Sequence, residues 1–262
     1  MTAHMSAADK AKYFAARQAA TYVKSGMKVG LGTGSTAEWL VKCLGEMVRD
    51  EGLQIQGVPT SERTGALARQ VGIKVITLDA AQRLDITIDG TDEYDPDLCL
   101  IKGGGGAHLR EKIVAAASDR MVVIADESKT VDTLGAFPLP VEVIPFGMRT
   151  TEALIAAALV DLDVAARDIT LRMAGDAPYV SDEGNHIFDL HLKRIGDARK
   201  LSQALNQIPG VVENGLFIDI CKVIVVGHDN GRVTVTDGTD GGVQELQLEM
   251  PDTDRLFADL GV

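Results

Sequence analysis

The sequence has few cysteines, no surplus of positive charge, no metal-ligand spacing and no long apolar run. Each shortage removes a class of function. Three cysteines, Cys43, Cys99 and Cys221, stand far apart in 262 residues, are odd in number and form no C-x-x-C. Such spacing suggests neither a disulfide framework nor a zinc site, and the three read as buried thiols. The five histidines offer a metal no more: His186 and His191 sit five apart in a strand-like run, which places them on opposite faces. Lys and Arg number 26 against 38 Asp and Glu, a formal charge of −12, and no basic stripe offsets it. A nucleic-acid partner asks for the opposite balance. Half of the net charge comes from the stretch after Thr236, which holds seven acids and one base, Arg255. No apolar run is long enough to span a bilayer, and no basic segment followed by an apolar one reads as a leader. The expected setting is the cytoplasm, with no membrane partner.

With 45% hydrophobic residues the chain can bury a real core. Residues 7–24 carry Tyr13, Ala16, Ala20 and Val23 at helical spacing, which predicts a helix stopped at Ser25-Gly26. A short apolar strand at 27–32 runs into Gly32-Thr33-Gly34-Ser35-Thr36-Ala37 and then a helix through Trp39, Leu40 and Leu44. Strand, glycine turn and helix make a phosphate cradle from free N–H groups and hydroxyls, with Ser35 or Thr36 as the cap. The same six residues fit G-x-G-x-x-A, so a nicotinamide oxidoreductase is a rival reading. That fingerprint wants an acid at the end of the second strand, where this chain has Pro59-Thr60-Ser61.

The alternation continues with a helix at 61–71, strands at 74–78 and into Asp89, a helix after the glycines and a strand at 121–125. It predicts an α/β chain whose mainly parallel, Rossmann-like sheet is covered on both faces and binds ligands beyond the carboxyl ends of its strands. After Phe137-Pro138-Leu139-Pro140 come a strand at 141–144, a helix at 150–159, strands at 168–173 and 186–192, a helix at 198–207 and a strand at 211–217. That βαββαβ order is the split unit of ferredoxin-like α+β folds. A hairpin at 222–226 and 232–235 around Asn230-Gly231 returns to the first domain. The expected division is a Rossmann-like domain of 1–139 and 220–262 with a ferredoxin-like domain, 140–219, inserted. The stretch from Thr236 lacks patterning and is expected to be partly appended or loosely held.

The densest chemistry lies between Asp85 and Lys112. Asp89, Asp92, Glu93, Asp95 and Asp97 fall within nine residues, more negative charge than a core needs. Lys102 follows, then Gly103 to Gly106, then a helix-forming segment with Arg110, Glu111 and Lys112. Ordering each such glycine costs about 0.5–1 kcal/mol relative to Ala in regular structure, so the run marks close backbone approach or positive φ. A helix starting near Ala107 aims its free N–H groups into the loop and favours an anion there. The bland alternatives are a flexible linker for the glycines and a solvated turn or a magnesium site for the acids. Periodicity alone puts Glu111 on an exposed face, because Leu109, Ile113, Val114 and Ala117 form the apolar stripe.

Taken together, GLGTGSTA ending at Ala37, DGTDE at 89–93, IKGGGGA at 101–107, REK at 110–112, FPLPVEVIP at 137–145 and IPGVVENGLF at 208–217 resemble the ribose-5-phosphate isomerase family of the A type. The resemblance spans roughly residues 7–235; it departs at Thr91, where alanine is common, and beyond about residue 236. It implies interconversion of D-ribose 5-phosphate and D-ribulose 5-phosphate through an enediolate, without metal or organic cofactor, by a homodimer or homotetramer. It implies Glu111 as the base, with Lys102 and the amides of Gly103, Gly104 and Gly105 facing the oxyanion. Asp89 and Asp92 would hold hydroxyls and assist ring opening. Thr33, Gly34, Ser35 and Thr36 with Lys12 and Lys129 would hold the phosphate, and Gly90 and Thr91 would line the substrate. Lys112, next to Glu111, is expected to have no part in the chemistry. The remaining rivals are another sugar-phosphate enzyme, such as a deaminase or lactonase, and a sugar-phosphate-sensing regulator. The regulator would need a DNA-reading module, and only one helix precedes the first strand.

Overall fold

The computed structural model describes residues 5–239 and 241–250. Ser6 accepts the Asp9 N–H and opens helix α1, Ala7–Ala20, which stops a turn before the predicted Ser25-Gly26. Then follow β1 (Lys28–Leu31), α2 (Ser35–Asp50), β2 (Gln56–Pro59), α3 (Glu62–Gln70), β3 (Lys74–Val75), the one-turn α4 (Leu78–Ala81) and β4 (Ile86–Gly90). Two short strands, β5 (Glu93–Tyr94) and β6 (Leu100–Ile101), precede α5 (His108–Ala116) and β7 (Met121–Asp126). The last three strands, numbered after those of the second sheet, are β15 (Cys221–Gly227), β16 (Arg232–Asp237) and β17 (Val243–Gln247).

These elements build one eight-stranded sheet in the order β17-β16-β15-β7-β4-β1-β2-β3, parallel from β15 to β3 and antiparallel at the β16–β17 edge. Successive strand residues face opposite sides. Val122 and Ile124 therefore join the α1–α2 core, while Met121 and Val123 pack on the other side with Leu100 and Phe217. Full burial of each such side chain contributes about 1.5–3 kcal/mol. The chain runs outward from β1 to β3 and then returns to the other side of β1 as β4, so a topological switch point lies between β1 and β4. Ligands of open α/β sheets bind there, beyond the carboxyl ends.

The second sheet comprises β8 (Leu139–Val143), β9 (Asp168–Leu171), β12 (His186–His191) and β13 (Val211–Asn214) in the order β13-β8-β12-β9, all antiparallel. Helices α6 (Met148–Ala158) and α7 (Ala198–Asn206) bury Ile155, Leu201 and Leu205 against it, completing the ferredoxin-like arrangement. A small hairpin, β10 (Met173–Ala174) and β11 (Ala177–Pro178), lies between β9 and β12.

The single strand expected at 211–217 is divided at Gly215. Val211–Asn214 pairs with β8, whereas β14 (Leu216–Phe217) pairs with β6 in a separate three-stranded sheet. At the crossing, Gly215 N–H donates to Pro140 O at 2.8 Å and Gly215 O accepts the Lys102 N–H at 2.9 Å. The exit from the second sheet thus fixes the backbone of Lys102. Past Thr236 the chain is not merely appended, since β17 hydrogen-bonds along β16; the rest of that expectation, residues 251–262, lies outside the described residues. Among the described residues no helix is long and apolar enough to cross a membrane.

Candidate active site

The loops leaving β1, β4 and β7 meet the glycine loop and the start of α1 around one cleft of about 500 Å³ at the switch point. Lys12, Gly34, Ser35, Thr36, Asp92, Lys102, Glu111 and Lys129 all reach it from separate parts of the chain. Asp89 does not: it is fully buried beneath the cleft floor.

Three charged side chains are sealed there together, with Lys102 2% and Glu111 4% exposed. Lys102 Nζ donates to Gly90 O at 2.6 Å and lies 3.0 Å from Asp89 Oδ2 and 3.2 Å from Glu111 Oε2. Lys102 is thus the one cation paired with both carboxylates. One cation between two carboxylates leaves surplus negative charge where water cannot disperse it. Burial, and then the Asp89 charge, push Glu111 up to about 8 in spite of Lys102. Burial raises Asp89 too, against the pull of Lys102 and of the Gly90 and Thr33 N–H groups. For Lys102 burial acts downward, but the two carboxylates outweigh it and hold the ammonium above its usual value.

The trio therefore gains and loses a proton as a unit. Asp89 Oδ1 accepts N–H bonds from Thr33 at 3.0 Å and Gly90 at 2.7 Å, which favour its ionised form. Glu111 accepts no backbone N–H bond among the described residues, and burial with the Asp89 charge favours its neutral form. A carboxyl that exchanges a proton near neutral pH beside a fixed cation is suited to general acid–base work. The two loops approach so closely that a Cβ at Gly32 would lie 2.1 Å from Asp89 Oδ1.

The glycine loop is held from below. Gly103 has φ +106°, and a Cβ there would sit 2.8 Å from His108 Nδ1. His108 is the first residue of α5, fully buried, and burial keeps it neutral by pushing it down to about 3. Sequence reasoning passed over His108, whose only signal is its place between the glycines and REK. Gly104 N–H donates to Asp92 Oδ2 at 2.7 Å. From the second sheet Arg172, equally unforeseen, reaches the carbonyls of Gly103 and Gly104.

Also lining the cleft, Gly34 rather than Ser35 or Thr36 is the N-cap of α2, with φ +107° and no side-chain cap bond. Ser35 and Thr36 are the first helical residues, and first-turn N–H groups have no partner within the helix. Thr33 offers less than expected, because its N–H is used by Asp89 and its hydroxyl bonds Thr60 Oγ1 at 2.7 Å and Ser61 Oγ at 2.9 Å. Thr91 is similar: it lines the cleft, but its hydroxyl donates to Glu93 O at 2.7 Å and Ile101 O at 3.0 Å. Lys12 and Lys129 line the same cleft, and neither has an ion-pair or side-chain hydrogen-bond partner among the described residues. A helix start in a cleft with two such ammonium groups is suited to an anion.

The acids of 89–97 disperse rather than gather. Glu93 accepts N–H bonds from Gly135 and Phe137, and Asp95 accepts them from Cys99 and Asp97. No group of three or more His, Cys, Asp or Glu is placed to hold a metal among the described residues. Periodicity also misjudges α5, where Ile113 is 49% exposed while Glu111 is buried, because the helix presents Glu111 to the cleft wall. Lys112 is no solvated lysine either. It donates to Glu213 Oε1 at 2.9 Å and Asn214 O at 2.6 Å, and lies 4.9 Å above the Phe217 ring.

Residues 56–231 match the family model of ribose 5-phosphate isomerase A (phosphoriboisomerase A). The chain belongs to this family. Ribose-5-phosphate isomerase A of Roseobacter denitrificans is 65% identical over 260 residues, 99% of each chain. The stretch past residue 236 lies beyond the family model, as the resemblance suggested, but inside the match to this relative. Among solved structures, ribose 5-phosphate isomerase A from Methanocaldococcus jannaschii is 39% identical with a TM-score of 0.77, covering 90% of this chain and 98% of its own. A D-ribose-5-phosphate isomerase in complex with phospho-erythronic acid is 36% identical with a TM-score of 0.79, covering 93% and 100%.

Proposed function

We propose that the protein interconverts D-ribose 5-phosphate and D-ribulose 5-phosphate through an enediolate. The observation that carries the reading is a buried Asp89–Lys102–Glu111 trio at a cleft that the α2 N-terminus, Lys12 and Lys129 also line. Family membership supports it, as does the phospho-erythronic acid bound by a relative, a phosphate joined to a carboxylate. In the open-chain aldose the C1 carbonyl acidifies the proton on C2. Glu111, deprotonated, takes that proton, and the electron pair moves onto O1 to give the enediolate. Lys102 and the loop amides stabilise the oxyanion in a site of low dielectric. The O2 proton passes to O1, Glu111 returns its proton to C1, and the C2 carbonyl of the ketose forms.

Asp89 acts through Lys102, which it anchors, and the handling of hydroxyl protons and ring opening falls to Asp92 at the cleft surface. No metal or organic cofactor enters this scheme, because Lys102 supplies the positive field at the oxyanion. Assembly as a homodimer or homotetramer belongs to the same proposal, supported by exposed apolar side chains such as Phe146, 88% exposed. So does a cytoplasmic setting, supported by three free thiols.

The test is ketose formation from ribose 5-phosphate with and without a chelator. Equal rates are expected, with free ribose far poorer in kcat as well as KM, since remote phosphate binding orients the reacting carbons. No ketose from ribose 5-phosphate would end the isomerase reading; activity lost in chelator and restored by magnesium would end its metal-free form.

A further inference from the structure

Four consecutive glycines have no side chains with which to set their own peptide planes, yet an oxyanion site needs its N–H groups aimed. Within the loop Gly106 N–H donates to Gly103 O at 2.9 Å, which leaves the Gly104 carbonyl unset, and the second sheet supplies a further constraint on both. Arg172, between β9 and β10, donates through Nη1 to Gly103 O at 2.7 Å and Gly104 O at 3.2 Å. Its Nε donates to Asp189 Oδ2 at 2.9 Å, and its Nη2 to Asp189 Oδ1. Asp189 lies on β12 opposite Thr170 of β9, so the carboxylate is fixed by the sheet. This fork-on-carboxylate pairing locks the guanidinium plane.

Each peptide in the loop is trans, which puts its N–H on the side opposite its carbonyl. Holding Gly103 O therefore aims the Gly104 N–H, and that group is on Asp92 Oδ2 at 2.7 Å. Holding Gly104 O aims the Gly105 N–H away from Arg172. Gly105 lines the cleft, and its N–H has no partner among the described residues. We propose that Arg172, held by Asp189, is a positioning residue that fixes the glycine-loop peptide planes so that the Gly105 N–H points at the developing oxyanion. The inference rests on the isomerase reading and gives the second sheet a share in the reaction.

Arg172→Met and Arg172→Lys, assayed beside the wild type for ketose formation, test it. Loss of a whole oxyanion donor costs about 10²–10³ in kcat, so mis-aiming one should lower kcat of Arg172→Met by about 10- to 100-fold. KM for ribose 5-phosphate and inhibition by inorganic phosphate should stay within about threefold of wild type, because the phosphate end is untouched. On the proposed reading the carboxylate of phospho-erythronic acid would meet the oxyanion donors, so its affinity should fall with kcat. Arg172→Lys keeps a donor for the carbonyls and should lie between the two, and added guanidinium ion should restore part of the Arg172→Met activity. Unchanged kcat overturns the inference, as does a fall in kcat matched by equal weakening of phosphate inhibition, the mark of a loosened fold. Should Arg172→Met fail to fold, Arg172→Lys gives the same kcat-against-phosphate comparison. Wild type that makes no ketose overturns the isomerase reading and this inference with it. Normal wild-type turnover beside unaffected variants overturns the inference alone.

Discussion

Replacing Glu111 by Gln keeps the shape of the side chain and removes one of the two negative charges facing Lys102. Activity and stability should then move in opposite directions. As the base, Glu111 is worth about 10²–10⁴ in kcat, or roughly 3–5 kcal/mol at the transition state, and glutamine cannot take the proton. With both carboxylates ionised the sealed trio carries a net negative charge, whereas in Glu111→Gln the Asp89–Lys102 pair is neutral. Burial and the Asp89 charge raise Glu111 from 4.5 to about 8. A raised carboxyl contributes stability that is fully present below its unfolded pKa and lost as pH rises through its folded one. Wild-type stability should thus decline between about pH 4.5 and about pH 8 through this group, and the variant should lack that decline.

The measurements are steady-state ketose formation and thermal melts of both proteins across that range. Wild-type kcat/KM should climb through the titration of the trio, and the climb should vanish in the variant along with most of kcat. The difference in Tm, variant minus wild type, should grow with pH. Wild-type turnover in Glu111→Gln would refute the base assignment. A variant that melts well below wild type at the alkaline end would refute the charge argument.

Three further outcomes are expected. Gly103→Ala places a Cβ 2.8 Å from His108 Nδ1 at φ +106°; it should destabilise by about 1–3 kcal/mol and lower kcat, read by melts and turnover. Lys12→Gln and Lys129→Gln should each raise KM for ribose 5-phosphate, by roughly tenfold at low salt and less at high salt, with smaller changes in kcat. Lys112→Gln breaks the bonds to Glu213 and Asn214 and should cost about 1–3 kcal/mol in denaturant titration while kcat stays within a few-fold.

The fold was largely legible because apolar periodicity reports which faces are covered. It placed the parallel sheet, the βαββαβ unit and the return hairpin. It could not place the break at Gly215, since Val211 to Phe217 are continuous in pattern and only the partner strand changes, from β8 to β6. Strand β17 is mostly exposed at the sheet edge, so its residues carry little alternation to read. In the site, the acids, the lysine and the glycines were visible as composition, but their division of labour was not. Asp89 looks no different from Asp92 in sequence, yet one is sealed under Lys102 and the other faces the cleft. Arg172 lies far along the chain from the loop it holds, and no local pattern ties the two together.

The misreading of Glu111 by periodicity has a physical cause that bears on how the site came to be built. An apolar stripe identifies the helix face that buries for stability, whereas Glu111 is buried at a cost in stability, since effective desolvation penalties are several kcal/mol per ion. Ordinarily such a cluster would relax by turning Lys102 toward water. Here each member is fixed by a different part of the fold. Asp89 ends a central strand paired with β7, Lys102 has its backbone bound to Gly215 at the exit of the second sheet, and Glu111 rides on α5. Their backbones are thus set by three separate elements, which brings the charges together. The rest of the structure therefore holds together a charge arrangement that would not persist alone, and burial with the Asp89 charge raises the Glu111 carboxyl toward neutral pH, which the proposed transfer between two neighbouring carbons requires.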